Sequence, residues 1–218
     1  MLLHEHLENG ADKNPNFPFS EFEGNSLSYQ EANLLSNQLA NKLVSEGLEV
    51  GDRFAFLAKN CTEMAIMYYA ASKVGAVPVP LNYRLADQEW AYIINDSEAK
   101  LIIVKGNEYS DRINQISSEL KNVKKYISIS LDNSIEKFQD FYDWLSDSSN
   151  EKPTLKIHEN DDVYQMYTSG TTGHPKGAVL LQRNVAANIR QYLNSLTLPM
   201  PSRTLLVAPM YHAAAMIN

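Results

Sequence analysis

Apolar residues between positions 29 and 46 recur every three or four places, which is the period of an amphipathic α-helix. Ser28 stands directly before this segment and Glu31 follows three positions later. Such a pair is typical of a capping box, in which each side chain binds the backbone of the other residue. Gly47 follows the last apolar positions and is a common helix terminator. The pattern therefore predicts both ends of this helix as well as its buried face.

A strand, a helix and a second strand are predicted next, at Phe54–Ala58, around residues 64–71 and at Ala76–Pro80. Gly75 follows the helical segment and predicts its end. This order is that of a βαβ unit. Met64 and Met67 could face a ligand, but their helical spacing favours a place in the core. The segment therefore indicates a parallel sheet covered by helices.

The alternation of helices and strands continues to the end of the chain. The remaining predicted helices cover residues 87–94, 111–120, 135–145 and 184–196, and the remaining predicted strands cover residues 101–104, 126–129, 163–167, 178–181 and 205–207. The run at residues 101–104 is continuously apolar, which is typical of a strand buried on both faces. We therefore expect an α/β fold, a layered domain with a mainly parallel sheet flanked by helices. Ligands of such sheets usually bind at the carboxyl ends of the strands.

The segmental composition also predicts a domain organisation. Residues 1–26 are polar and rich in Asn, Pro and Phe, and we expect an irregular lead-in. Residues 27–218 form one α/β region. Within it, residues 146–156 carry Ser, Asp, Asn and Pro without an apolar stripe, which indicates a linker.

Composition and charge exclude several classes of protein. The net charge of −7 argues against a general nucleic-acid binder, which needs clustered basic residues. The single cysteine, Cys61, allows no internal disulfide and fits a reducing compartment. No secretory signal is expected at the start. The longest apolar run, residues 64–81, contains Lys73 and two prolines, so no membrane span is expected. A cytoplasmic protein is the default expectation.

The stretch from Tyr167 to Gly177 concentrates the polar chemistry of the chain. It holds three glycines, four Ser or Thr residues and one lysine within eleven residues. Glycine lets the backbone approach a ligand closely, and hydroxyl and backbone N–H groups can converge on oxygen atoms. The ammonium of Lys176 would neutralise negative charge, and Pro175 fixes the backbone directly before it. We therefore predict a loop that surrounds a polyphosphate.

Two other interpretations of this loop are weaker. In a Walker A loop, Ser or Thr follows the lysine and a helix begins there. Here Gly177 follows Lys176, and the next residues predict a strand. A flexible Ser, Thr and Gly linker is the plainer alternative. The terminal Pro-Lys-Gly and the apolar strands on both sides argue for a fixed loop instead.

The same stretch resembles the phosphate-binding signature of the adenylate-forming (AMP-binding) superfamily. This superfamily includes acyl-CoA synthetases, aryl-CoA ligases, peptide-synthetase adenylation domains and beetle luciferases. Nearly all fixed positions of the signature match, and His174 occupies a variable one. We interpret His174 and His158 as solvated residues.

Further segments resemble the amino-terminal part of acyl-CoA synthetases. They include Leu27–Ala32, Gly75–Asn82 and the Pro-x-aromatic-His segment Ala208–His212. The resemblance thus covers most of the chain, from about residue 27 onward. It implies the amino-terminal subdomain of an adenylate-forming enzyme.

The resemblance also implies a chemistry and its residues. Members of the family let a carboxylate attack the α-phosphate of ATP, and a thiol such as that of coenzyme A then displaces AMP. ATP, Mg²⁺ and coenzyme A are the implied small molecules, and Thr168 is implied to help place Mg²⁺. The residues implied to hold the β- and γ-phosphates are Thr168, Ser169, Gly170, Thr171, Thr172, Gly173 and Lys176. His212 is the implied catalytic-site residue, between the acyl chain and the adenylate, and its plainer interpretation is a structural histidine.

The sequence departs from the family pattern in two ways. Gln182 stands where many members have His, which leaves the phosphate loop intact. Members are usually much longer, and these 218 residues lack the adenine-binding Gly-x-Thr-Glu segment, the ribose-binding Asp and the carboxyl-terminal catalytic lysine. We therefore expect the parent protein to be an acid–thiol ligase and this chain alone to have little activity. Self-association through uncovered apolar surface is also expected.

Two alternatives stay open. The chain could come from a peptide-synthetase adenylation domain, whose acceptor is a carrier-protein thiol. It could also be a stand-alone nucleotide- or pyrophosphate-binding module without catalysis. The carboxylic acid is not readable from these residues.

Overall fold

Helices and strands alternate along most of the computed structural model, which describes residues 1–130, 135–168, 173–195 and 202–213. The strands are β1 (Pro18–Phe22), β2 (Asn25–Ser28), β3 (Arg53–Leu57), β4 (Val77–Leu81), β5 (Leu101–Lys105), β6 (Lys125–Ile129), β7 (Phe138–Asp140), β8 (Asp162–Thr168) and β9 (Lys176–Leu181). The helices are α1 (Leu3–Lys13), α2 (Tyr29–Ser45), α3 (Thr62–Val74), α4 (Asp87–Asp96), α5 (Asn107–Ile116), α6 (Phe141–Leu145) and α7 (Gln182–Ser195).

Five of the strands pair in parallel in the order β4-β3-β5-β6-β7. This sheet confirms the predicted α/β class. Strands β1 and β2 form one antiparallel hairpin, and β8 and β9 form another, with β8 packed against β4.

The central strands are buried on both faces because helices cover each side. Phe54, Phe56 and Ile103 belong to the core cluster that also holds buried residues of α2 and α3. Ala55 and Ile102, which alternate with them, belong to the opposite cluster, with buried residues of α4 and α5. Since successive side chains of a strand point to opposite faces, such strands need apolar residues at every position.

Local sequence signals place α2 and α3 as predicted. The Oγ atom of Ser28 accepts a hydrogen bond from the Glu31 N–H at 3.2 Å, and a Glu31 carboxylate oxygen accepts one from the Ser28 N–H at 2.8 Å. Helix α3 ends at Gly75, whose φ of 71° is a left-handed conformation that favours glycine. Met64 and Met67 are buried in the core, as expected.

The predicted irregular lead-in over residues 1–26 is wrong. The structure places a helix, α1, and the β1–β2 hairpin in this region. Asn9, Gly10 and Asp12 have low helix propensity and weaken the second half of α1. Leu7 is nevertheless buried, and His4 contacts the Ser72 hydroxyl of α3 at 2.9 Å. Tertiary packing therefore stabilises a helix that its own sequence does not predict.

Two other elements differ from the prediction. Residues 135–145 were expected to be one helix, but β7 precedes the short helix α6. The carboxylate of Asp140 accepts hydrogen bonds from the N–H groups of Tyr142 and Asp143, which starts the helix there. Residues 205–207 were expected to be a strand, yet they pair with no strand among the described residues, and Leu205 is 85% exposed.

The irregular segment at residues 146–156 is fastened to α2. The Asn41 side-chain amide donates to the carbonyl oxygens of Ser149 and Glu151 at 2.9 and 2.8 Å. The Asn37 amide donates to the Asn150 carbonyl at 3.0 Å. This segment therefore runs along a helix surface. Among the described residues, no helix is both long and apolar enough to cross a bilayer.

Candidate functional site

The predicted phosphate loop connects two antiparallel strands, as the sequence indicates. Thr168 ends β8, and it lies opposite Lys176, which begins β9. Both side chains are exposed. Gly173 has a φ of 132°, which residues other than glycine rarely adopt. The predicted ligands Ser169, Gly170, Thr171 and Thr172 lie outside the described residues.

Lys176 is available to a ligand. Its ammonium forms no ion pair with any residue in the described ranges. By contrast, Lys73 is buried and binds Glu8, Asn33 and Asn37 at 2.7 to 3.2 Å. The two lysines thus differ: Lys73 is neutralised inside the fold, and the ammonium of Lys176 has no acidic partner among the residues that the structure describes.

Gly177 packs closely against two side chains of β8. A Cβ atom at this position would lie 2.4 Å from Nε2 of Gln165 and 3.0 Å from Cζ of Tyr167. Both distances are below ordinary van der Waals contact. The signature glycine therefore leaves room for two neighbouring side chains of β8.

Those two side chains belong to a hydrogen-bond network that links β3, β8 and α4. Arg53 of β3 binds the Asp162 carboxylate at 3.0 Å and donates from Nε to the Gln165 amide oxygen at 3.1 Å. The Gln165 amide donates to the Tyr167 hydroxyl at 3.0 Å, and that hydroxyl donates to the Asp96 carboxylate at 2.6 Å. Burial and this carboxylate both raise the pKa of Tyr167, so the phenol keeps its proton. These hydrogen bonds hold the end of β8, from which the predicted loop begins.

A stacked pair of aromatic rings holds the backbone just before β9. The imidazole of His174 lies on the ring of Tyr92, with centroids 4.7 Å apart and planes inclined by 19°. His174 is exposed, as expected, but one face of its ring is covered by Tyr92. Sequence reasoning missed Tyr92 and Asp96, which lie far from the signature in the chain.

His212 lies on a separate segment, which Asn60 holds. The Asn60 amide donates to the Ala208 carbonyl at 2.9 Å and accepts from the Met210 N–H at 2.8 Å. The Tyr68 hydroxyl donates to the Met210 carbonyl at 3.1 Å. Asn60 follows β3 at the carboxyl end of the sheet, where ligands of α/β folds bind. The His212 side chain is exposed.

Gln182, the position that departs from the family pattern, has a structural role. Its side chain is fully buried. The amide oxygen accepts from the Leu3 N–H at 3.2 Å, and the amide nitrogen donates to the Ser72 hydroxyl at 2.9 Å. The same hydroxyl contacts His4, whose pKa is lowered by burial. Gln182 therefore joins α1, α3 and α7.

The described residues contain no group of three or more His, Cys, Asp or Glu side chains that could hold a metal ion. Thr168, the predicted Mg²⁺ ligand, ends β8 and is exposed.

Comparison with known proteins identifies the family. A family model described as AMP-binding enzyme matches residues 7–218. The long-chain-fatty-acid–CoA ligase FadD13 of Mycobacterium tuberculosis is 33% identical over 192 residues, or 87% of this chain. A feruloyl-CoA synthase of Amycolatopsis sp is 31% identical over 193 residues, or 88% of this chain. The solved N-terminal domain of FACL13 from Mycobacterium tuberculosis superposes with a TM-score of 0.87 at 27% identity, covering 100% of this chain and 53% of that one.

The chain spans only part of these relatives. It covers 36% of the length of both the FadD13 ligase and the feruloyl-CoA synthase. The matched family model nevertheless extends over nearly all of its residues, and the resemblance inferred from the signature is confirmed. The chain belongs to the family of AMP-binding enzymes.

Proposed function

We propose that the chain is the amino-terminal part of an ATP-dependent acyl-CoA synthetase. In this reaction a carboxylate attacks the α-phosphorus of ATP, an acyl-adenylate forms and pyrophosphate leaves. A thiol, that of coenzyme A, then displaces AMP. The observation that carries this proposal is the exposed pair of Thr168 and Lys176 at the end of a hairpin whose sequence matches the family signature.

The loop would bind the β- and γ-phosphates. The proposed ligands are Thr168, Ser169, Gly170, Thr171, Thr172, Gly173 and Lys176. Donors and a cation placed at the departing pyrophosphate stabilise the charge that develops there, which lowers the barrier for attack. The exposure of Lys176, which has no ion-pair partner in the described part of the chain, supports this role.

Mg²⁺ would reach the site with the nucleotide. A bound Mg²⁺ would neutralise charge on the phosphate oxygens. Thr168 is its proposed protein ligand, because the hydroxyl lies at the open end of β8 and is exposed.

His212 is proposed to line the pocket between the acyl group and the adenylate. The clamp of Asn60 on Ala208 and Met210 supports this, since it holds the segment at the carboxyl end of the sheet. Both fatty-acyl and aryl ligases are among the relatives, so the class of acid is left open.

We also propose that these 218 residues do not complete the reaction alone, because no Gly-x-Thr-Glu segment for adenine occurs among them. The peptide-synthetase domain and the non-catalytic module remain alternatives.

The exposed side chains of Val179, Leu205 and Val207 support self-association of the isolated chain. Light scattering at rising concentration tests this, and a constant monomer mass would contradict it.

The decisive experiment is calorimetric binding of pyrophosphate and of MgATP to the chain. Lys176→Ala removes a charge-assisted hydrogen bond and should weaken pyrophosphate binding about tenfold. Lys121→Ala is the matched control, because it removes the same charge from an exposed lysine outside the hairpin. Equal losses in both variants, or no loss in Lys176→Ala, would count against the proposed site.

A further inference from the structure

Helix α4 contacts residues near both ends of the predicted phosphate loop. Asp96 accepts the hydrogen bond of Tyr167, one residue before the end of β8. Tyr92 stacks on His174, two residues before the start of β9. Positions 92 and 96 are four residues apart, so they lie on one face of the helix. One helix face thus holds the chain on either side of the predicted loop.

Helix α4 is itself rigidly attached to the sheet. Trp90, Ile93 and Ile94 are at most 2% exposed. The Trp90 indole donates to the Asn82 carbonyl at 2.9 Å, and the Arg112 guanidinium lies 3.9 Å from the centre of its ring. Since the buried side of α4 is packed into the core, its outer face can act as a fixed support.

We propose that Tyr92 and Asp96 are positioning residues for phosphate binding. They act through His174 and Tyr167, and they set the place of Lys176 and Thr168 relative to the ligand. This inference rests on the proposed function, because it names what orders the same site.

The proposal has a thermodynamic reason. A loop that is not held must be ordered when the ligand binds, and this cost reduces the affinity. Asp96 and His174 are exposed, and Tyr92 is half-buried at the edge of one core cluster without being one of its buried members. The expected effect of losing the support is therefore weaker binding by a normally folded chain.

The first measurement is pyrophosphate affinity of Tyr92→Ala and Asp96→Ala. We expect each to bind about threefold more weakly, because an exposed ring pair or hydrogen bond contributes modestly. Tyr92→Phe keeps the stack and Asp96→Asn keeps an acceptor, so both should bind like the unmodified chain. Asp111→Ala, an exposed aspartate on α5, is the control for lost charge.

A double-mutant cycle tests whether Tyr92 acts through the stack. Tyr92→Ala and His174→Ala should each weaken binding about threefold, and the double variant should weaken it about threefold as well, because both changes remove one interaction. Hydrogen exchange of the peptide that spans residues 162–181 should accelerate in Tyr92→Ala and Asp96→Ala. It should stay unchanged for residues 101–116.

The outcomes separate the two proposals. If the unmodified chain binds pyrophosphate through Lys176 and the α4 variants bind and exchange like it, the inference is wrong while the proposed function stands. Additive losses in the cycle would also overturn it. If the unmodified chain shows no binding, both proposals fail, and α4 has a purely structural contact with the hairpin.

Discussion

Replacing Gly177 by alanine tests the packing of the phosphate-loop hairpin most directly. In open space this change would stabilise a strand by about 0.5 kcal/mol, since it restricts the unfolded chain. Here the new methyl group would lie 2.4 Å from Nε2 of Gln165 and 3.0 Å from the Tyr167 ring. The Gln165 side chain must therefore move away, although it is only 8% exposed.

The expected decrease in the free energy of unfolding follows from the hydrogen bonds that Gln165 would lose. It accepts from Arg53 at 3.1 Å and donates to Tyr167 at 3.0 Å. A bond to a charged group contributes about 2 kcal/mol and a neutral one about 1 kcal/mol. After the entropic gain, Gly177→Ala should lower the free energy of unfolding by about 2–3 kcal/mol. For a chain of this size that is a decrease in Tm of about 4–12 °C.

Urea and thermal unfolding followed by circular dichroism would measure this effect. The matched background is Gln165→Ala, in which the obstructing side chain is absent. There, Gly177→Ala should cost about 2 kcal/mol less than in the unmodified chain, because only the 3.0 Å contact with the Tyr167 ring remains. The reasoning is refuted if the change costs less than about 0.5 kcal/mol in the unmodified chain, or if it costs the same with and without Gln165.

Three further outcomes are expected elsewhere in the molecule. Asn60→Ala removes both hydrogen bonds to the His212 segment, so hydrogen exchange of residues 203–213 should accelerate by about tenfold while the sheet stays protected; equal exchange would contradict the clamp. Cys61 is buried, and burial raises the pKa of its thiol to about 12, so an aromatic disulfide reagent should react only after unfolding. Burial lowers the pKa of His4 from 6.5, so the folded state binds its proton less readily than the unfolded state does. The contribution of neutral His4 to the free energy of unfolding should therefore be fully present above pH 6.5 and should decrease as the pH falls below 6.5. The variant His4→Asn should not show this part of the decrease.

Several features of the site could be predicted from the sequence because they depend on neighbouring residues. The hairpin around Thr168 and Lys176 follows from apolar strands on both sides of a glycine-rich loop, and the structure confirms those strands. The physical reason for Gly177 could not be predicted. Its packing against Gln165 depends on how β8 and β9 align, and Gln165 is oriented by Arg53 of a distant strand.

The sequence alone determined the class of fold and the family. Helix α2 is defined by its own capping box, and strand β5 by a continuous apolar run. Local chemistry suffices for such elements, because their signals lie within a few residues of one another.

Only the tertiary structure decided where packing overrides local preference. Helix α1 is stabilised by the contacts of Leu7 and His4 with the folded domain, although Gly10 weakens its local preference for a helix. The support of the phosphate loop by Tyr92 and Asp96 likewise joins segments far apart in the chain. Such contacts leave no periodic pattern, because either partner alone is an ordinary surface residue until the fold brings the two together.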